Sequence, residues 1–327
     1  MTQLVELQRA LTRFADASIK LYAISYDDVE ALTAFAAEQK ITFPLLSDVH
    51  SRVIKEYGIL NDRVQPGDAM LYGIPFPGSY VMDENGIVVA KFFHQSYKMR
   101  TSPEILIDAA LGQVTLYGDE PSVEVEQEEI AITASLHGGP LKQGALRHII
   151  VRFELPDGLH IYDDPVPKGM VALDIEVSGP KGLIIEPMLK PPTSRLRLEA
   201  LDLDLNVWSK TVDLQVPIWA TSELASECRS LQEHSTRINI KLKYQACDDE
   251  TCLLPQTSEL TLEMPIEEMH VQNLGFHVGH SQHEAMLDGS PHLRRLLKRK
   301  ILSSPLGFVR YIFKSIKLNR AAKQRGS

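Results

Sequence analysis

The stretch Thr236-Arg237-Ile238-Asn239-Ile240-Lys241-Leu242-Lys243-Tyr244 leads through Gln245-Ala246-Cys247-Asp248-Asp249-Glu250-Thr251-Cys252-Leu253-Leu254-Pro255 to Leu260-Thr261-Leu262-Glu263-Met264. Its two outer pieces alternate apolar and polar residues, the period-two pattern of strands with one buried face. The middle piece carries two of the three cysteines in the chain, five positions apart. Two strands joined by a four-residue loop place positions i and i+5 opposite each other. Facing Cα atoms in an antiparallel pair lie about 4.5–5.5 Å apart, inside the roughly 4.4–6.8 Å window of a disulfide. The stretch therefore reads as a hairpin carrying a dithiol. Cys247 and Cys252 are either a redox pair, a fixed structural disulfide or inert thiols.

Working outward, short strand patterns recur at 130–136, 148–155, 159–162, 171–177, 183–187, 198–207, 212–217, 236–244 and 260–265, separated by turn residues. Many short strands at this spacing predict an all-β sandwich over residues 127–268. Residues 113–126 are acidic and contain Gly118 and Pro121, and read as a linker.

Residues 1–112 have a different rhythm. Leu4, Leu7, Leu11 and Phe14 recur at helical spacing, which predicts a helix over 3–17. An apolar strand at 20–25 follows, then a helix over 27–39 capped by Ser25 or Asp27. Residues 43–48 lead into a short helix at 49–57. Strands at 79–83 and 87–92 flank Asn85-Gly86, a hairpin turn. Ser102-Pro103 opens a last helix to residue 111 as cap and first position. Helices alternating with strands imply an α/β fold.

The net charge of −9 is unevenly placed. Residues 289–327 hold 11 Lys/Arg and no Asp/Glu, which leaves 23 basic and 43 acidic groups, or −20, on the other 288 residues. The basic tail, residues 290–327, interleaves Phe308, Tyr311, Phe313 and Ile316 with Arg310, Lys314 and Lys317, a pattern suited to an anionic membrane surface. Nucleic-acid binding is not expected, because the acidic body repels phosphate. No apolar run of 18 residues and no secretory signal is present. Phosphate-cradling loops, dinucleotide fingerprints and zinc signatures are absent, so neither a cofactor nor a metal is expected. His277, His280 and His283 have a repeating spacing but stand in a Gly-containing loop, which argues against convergent ligands. Cys228 reads as incidental, and His160 as a packed or rim residue.

Leu4-Val5-Glu6-Leu7-Gln8, Ala23-Ile24-Ser25-Tyr26-Asp27, Phe43-Pro44-Leu45-Leu46-Ser47-Asp48, Tyr57-Gly58-Ile59 and Pro77-Gly78-Ser79-Tyr80-Val81-Met82-Asp83 make the first region resemble the peroxiredoxin family of the alkyl hydroperoxide reductase/thiol-specific antioxidant type, on a thioredoxin-like fold. That resemblance implies a reactive cysteine at the start of the first helix, where free N–H groups favour the thiolate. No cysteine precedes Cys228, so no peroxidatic role attaches to any residue here. Pro77 matches the proline such folds hold in cis against the sulfur, and its role is structural. The thioredoxin-like pattern also lacks its first strand. An apolar run at 21–25 suits a strand buried on both faces, which predicts a longer natural chain supplying a strand and a Cys-containing turn ahead of Met1. The other reading is a degenerate, non-catalytic region.

Leu155-Pro156-Asp157-Gly158-Leu159-His160-Ile161-Tyr162, Val216-Pro217, and the run from Tyr244 through Cys247 to Cys252 and Pro255 make residues 125–268 resemble the amino-terminal, immunoglobulin-like domain of the thiol:disulfide interchange protein DsbD. The resemblance implies that Cys247 and Cys252 take electrons from a thioredoxin-like partner and pass them to disulfide-handling proteins. It also suggests a periplasmic setting, although better-known members have a longer gap between these cysteines. Asp248, Asp249 and Glu250 would disfavour the thiolates, giving a reducing poise, and Tyr244 stands as a supporting residue. The first region is a candidate internal partner, since fusion raises effective concentration to roughly millimolar for short linkers. The alternative is a non-catalytic interaction module with a structural disulfide.

Overall fold

The computed structural model describes residues 2–64, 73–94, 99–127, 130–198, 203–224, 234–248 and 251–267, and the isolated helical positions Lys298, Leu302, Val309 and Phe313. All but those four positions lie in one compact unit. The basic tail and the His277–His283 repeat fall almost wholly outside the described residues, as does Cys228.

The first region opens with α1 (Thr2–Arg9) and α2 (Leu11–Asp16) in place of the single helix expected. A turn at Ala10 divides them without changing the face presented: Leu7, Ala10 and Phe14 share one buried cluster. β1 (Ala23–Ser25) pairs in parallel with β2 (Leu45–Ser47) across α3 (Val29–Gln39), and α4 (Arg52–Glu56) follows. The cap of α3 is Asp28, whose Oδ1 accepts the Ala31 N–H at 2.7 Å, while the expected caps Ser25 and Asp27 bond each other. β3 (Ser79–Met82) and β4 (Val88–Phe92) form a separate hairpin. Its turn places Gly86 at φ +78°, and Asp83 Oδ1 accepts from the amides of Asn85 and Ile87.

These two small sheets share one core but are not hydrogen-bonded to each other among the described residues. Among the described residues β1 pairs with β2 alone, and Tyr22 and Ile24 are exposed. The expectation of a strand buried on both faces is corrected: Tyr22 and Ile24 share one face of the apolar run, and that face meets solvent. α3, likewise, has no buried residue.

β5 (Arg100–Thr101) and α5 (Pro103–Leu111) lead into the β-rich region. Its strands are β6 (Ser122–Gln127), β7 (Ile130–His137), β8 (Ala145–Glu154), β9 (His160–Tyr162), β10 (Asp174–Ser178), β11 (Leu183–Ile185), β12 (Ser194–Leu198), β13 (Leu203–Ser209), β14 (Thr211–Ala220), β15 (Ser235–Tyr244), β16 (Ala246–Cys247) and β17 (Gln256–Pro265). The order β11-β14-β8-β7-β6 makes the largest sheet, β10-β15-β17 the second and β12-β13-β9-β16 the third. Alternate residues of β7, β8 and β14 meet those of β15 and β17 in one core that includes Ile132, Phe153, Leu214, Ile240 and Leu262. The last five residues of the expected linker are strand. Ser122–Gln127 alternates Val123 and Val125 inward with Glu124 and Glu126 outward, and pairs along β7 from Ser135 to Ile130. Acidic composition masks a period-two signal there.

The two regions are joined by more than a tether. β8 runs past the end of β7, and β5 takes the free edge in parallel, pairing Arg100 with Ala145 and Thr101 with Leu146. His137 Nε2 meets Asp108 Oδ2 at 2.8 Å, both groups buried. Lys142 Nζ bonds Glu6 Oε1 at 2.8 Å and Glu267 Oε2 at 3.0 Å. Gly138, at φ +102°, leaves no room for a Cβ, which would lie 2.6 Å from Ser102 Oγ.

Candidate redox site

The site begins where β15 ends. Tyr244 is the last residue paired with β17, opposite Gln256. Gln245 then turns the chain out of that sheet. Its Oε1 accepts the Val171 N–H at 2.9 Å and its Nε2 donates to the Leu253 carbonyl at 3.0 Å. A buried amide with both ends engaged fixes a corner, because leaving either end unpaired costs about 1–3 kcal/mol. Beyond the corner, β16 pairs with β9, setting Ala246 opposite Ile161 and Cys247 opposite His160. The cysteines thus do not cap a simple hairpin of β15 and β17: the first of them belongs to a different sheet.

The return loop closes on itself. Asp248 N–H donates to the Thr251 carbonyl at 2.9 Å, and the Asp248 carboxylate accepts the Thr251 N–H. Leu253 N–H donates to the Ala246 carbonyl at 2.9 Å. Between these bonds Cys247 and Cys252 form an antiparallel bridge with Cα atoms 4.1 Å apart, and their sulfurs are joined as a disulfide.

The two halves of that disulfide have opposite surroundings. Cys247 is 0% exposed and packs with Tyr162, Leu205 and Val207. Cys252 is exposed, and Leu254, two residues on, is 78% exposed. Opposite Cys247, buried His160 bonds Tyr162 Oη through Nε2 at 3.1 Å. Burial raises the Tyr162 phenol above its ordinary value, so it stays protonated at neutral pH. A groove of about 300 Å³ borders His160, with Asp157, Ser194, Arg195 and Lys210 along it.

Cys247, Cys252 and Asp248 therefore come together as the sequence suggests, though the Asp248 carboxylate is engaged in holding the loop. Asp249 and Glu250 lie outside the described residues. Tyr244 is fully buried in the main core, its ring edge-on to Phe153 at 5.3 Å. Pro77 belongs to the first region and precedes β3; the described cis peptide is Asp164–Pro165, not Phe76–Pro77. Among the described residues no group of His, Cys, Asp and Glu could hold a metal ion, and no helix is long and apolar enough to cross a membrane. Gln245 and Tyr162 were not singled out from sequence. For Tyr162 the available signal was its i, i+2 placement with His160 on one strand face.

The disulfide and the first region sit at opposite ends of β8. β5 meets that strand at Ala145 and Leu146. At its other end Glu154 pairs with Thr211, next to the Ser209–His160 pair that leads to Cys247. Eight residues of strand at about 3.3 Å each separate the two by roughly 25 Å.

Two family models match separate parts of the chain. Residues 1–91 match the AhpC/TSA family model. Residues 116–264 match that of the amino-terminal region of the thiol:disulfide interchange protein DsbD. Chloroplastic peroxiredoxin Q of Sedum lineare is 35% identical over 100 residues, covering 30% of this chain and 47% of that protein. Its Arabidopsis thaliana counterpart is also 35% identical over 100 residues, with 40% of its length covered. The chain thus spans half or less of the length of these relatives. Among solved structures, the N-terminal periplasmic domain of ScsB from Proteus mirabilis aligns with 45% of this chain and 52% of its own at 13% identity and a TM-score of 0.30. The reduced DsbD N-terminal domain of Neisseria meningitidis aligns with 41% of this chain and 86% of its own at 15% identity and a TM-score of 0.27.

Proposed function

We propose that this chain is a thiol–disulfide oxidoreductase whose Cys247–Cys252 pair exchanges electrons with a separate thioredoxin-like or disulfide-handling protein. The β-rich region is read as an immunoglobulin-like sandwich that presents the pair at one end. The observation that carries the proposal is the asymmetry of the disulfide: one cysteine is exposed and the other is buried. Exchange proceeds by attack of a thiolate on one sulfur, and access selects which. A partner's thiolate attacks Cys252 Sγ, forms a mixed disulfide there and releases Cys247 as the leaving thiol. The partner's second thiol then attacks its own sulfur in the mixed disulfide and releases Cys252. Two electrons have passed from the partner's dithiol to the pair. Leu254 offers an apolar contact beside the point of attack. The roughly 25 Å between the pair and the first region supports a partner from outside the chain over the internal one.

In this reading the peroxiredoxin-like region serves as a fused scaffold, and residues 290–327 as a contact for an anionic surface. Deleting 290–327 and measuring liposome binding tests the latter. The central experiment treats the full chain with a reduced thioredoxin-like protein, then alkylates and counts the thiols at Cys247 and Cys252 by peptide mass. Reduction of both supports exchange. A pair that resists reduction in the folded protein supports the structural-clip reading.

A further inference from the structure

We propose that His160 is the proton donor to Cys247 when its sulfur leaves the disulfide, with Tyr162 as the residue that positions the imidazole. This rests on the thiol-exchange reading above.

Attack on exposed Cys252 leaves the new thiolate on Cys247, which has no contact with water. Burial disfavours a thiolate, so the released sulfur must be neutralised from within the protein. The β9–β16 ladder places His160 directly across from Cys247. Residues paired in this way project from the same face, with Cβ atoms about 4.5–5.5 Å apart. That register sets the imidazole beside Cys247 across the ladder. Tyr162, two residues along the same strand, also faces that side and belongs to the cluster that holds Cys247. Its hydroxyl holds His160 Nε2 at 3.1 Å, and the rings stand edge to face with centroids 5.2 Å apart. The groove borders His160, so the imidazole can be reprotonated from solvent between turnovers.

The step balances. The attacking thiolate forms a bond to Cys252 Sγ, and the Cys252–Cys247 bond breaks. The electron pair of that bond goes to Cys247 Sγ, which takes the proton from the His160 imidazolium. On oxidation the same proton returns to His160. Among the described residues, charged and titratable groups near the imidazole include Tyr162 on its own strand, Cys247 across the ladder, Asp157, Arg195 and Lys210 along the groove, and Asp248 after β16.

The test is the rate of disulfide reduction in the full chain by dithiothreitol from pH 5 to 9, divided by the reagent's thiolate fraction and followed by alkylation at Cys247 and Cys252. The expected profile rises toward low pH with a midpoint in the histidine range. His160→Gln is expected to flatten it and slow reduction about tenfold at pH 6. That is below the roughly hundredfold or more typical of positioned acids, because a thiolate leaves more readily than an alkoxide. Tyr162→Phe is expected to keep the curve and shift its midpoint. A His160→Gln variant with the wild-type profile and rate overturns the proposal while leaving exchange through Cys252 standing. If His160→Gln does not fold, a Tyr162→Phe midpoint identical to wild type overturns it instead. A wild-type pair that dithiothreitol cannot reduce in the folded chain overturns both this and the function it rests on.

Discussion

Separating the two sulfurs by mutation gives a quantitative test of their asymmetry. Cys247→Ser leaves Cys252 as a lone exposed thiol, and Cys252→Ser leaves Cys247 alone at 0% exposure. For a reagent to reach Cys247, β16 must come away from β9. That breaks the Ala246–Ile161 and Cys247–His160 pairing and the 2.9 Å bond from Leu253 N–H to the Ala246 carbonyl. Counting about three net hydrogen bonds at about 1 kcal/mol each, opening costs about 3 kcal/mol. At about 1.4 kcal/mol per tenfold, Cys247 should react about 100-fold more slowly than Cys252. The assay is iodoacetamide alkylation under native conditions, read by peptide mass spectrometry so that Cys228 is resolved separately. Rates within threefold of each other, in variants with equal urea midpoints, would refute the assignment of Cys252 as the sulfur attacked first.

Other consequences are independent of that one. Asp108→Ala removes the acceptor of both His137 Nε2 and the Thr115 N–H and should cost about 3 kcal/mol. A loss under about 1 kcal/mol in urea unfolding would show that the two regions do not depend on this bond. Burial drives the His148 imidazole down to about 4, with nearby His137 lowering it further and the hydrogen bond to Gln215 Oε1 raising it. Above pH 6.5 His148 is neutral both folded and unfolded; below it the unfolded chain binds the extra proton. His148 therefore supports the fold above pH 6.5, and that support is lost as pH falls toward about 4, by at most about 3 kcal/mol. A stability–pH curve for His148→Gln that matches wild type over pH 4–6.5 would contradict this. The redox potential of the pair should lie well below the roughly −120 mV of strong oxidants; titration against glutathione giving a value near that figure would remove the reducing assignment.

Much of this protein was readable from residue order, because period-two alternation and turn residues are local signals. They located β15 and β17, and the spacing of Cys247 and Cys252 implied that their sulfurs could meet. Ser102-Pro103 marked the start of α5 in the same way. Other features depend on partners distant in sequence. Whether residues 122–127 are linker or strand turns on β7 offering an edge. Whether the run at Ala23–Ser25 is buried turns on what packs over each of its faces. The different environments of the two sulfurs arise because Gln245 turns the chain into another sheet, against His160 and a cluster holding Leu205 and Val207. Residue order carries a cysteine's neighbours along the chain; only the packed sheets decide which sulfur is cut off from water and which imidazole lies across from it.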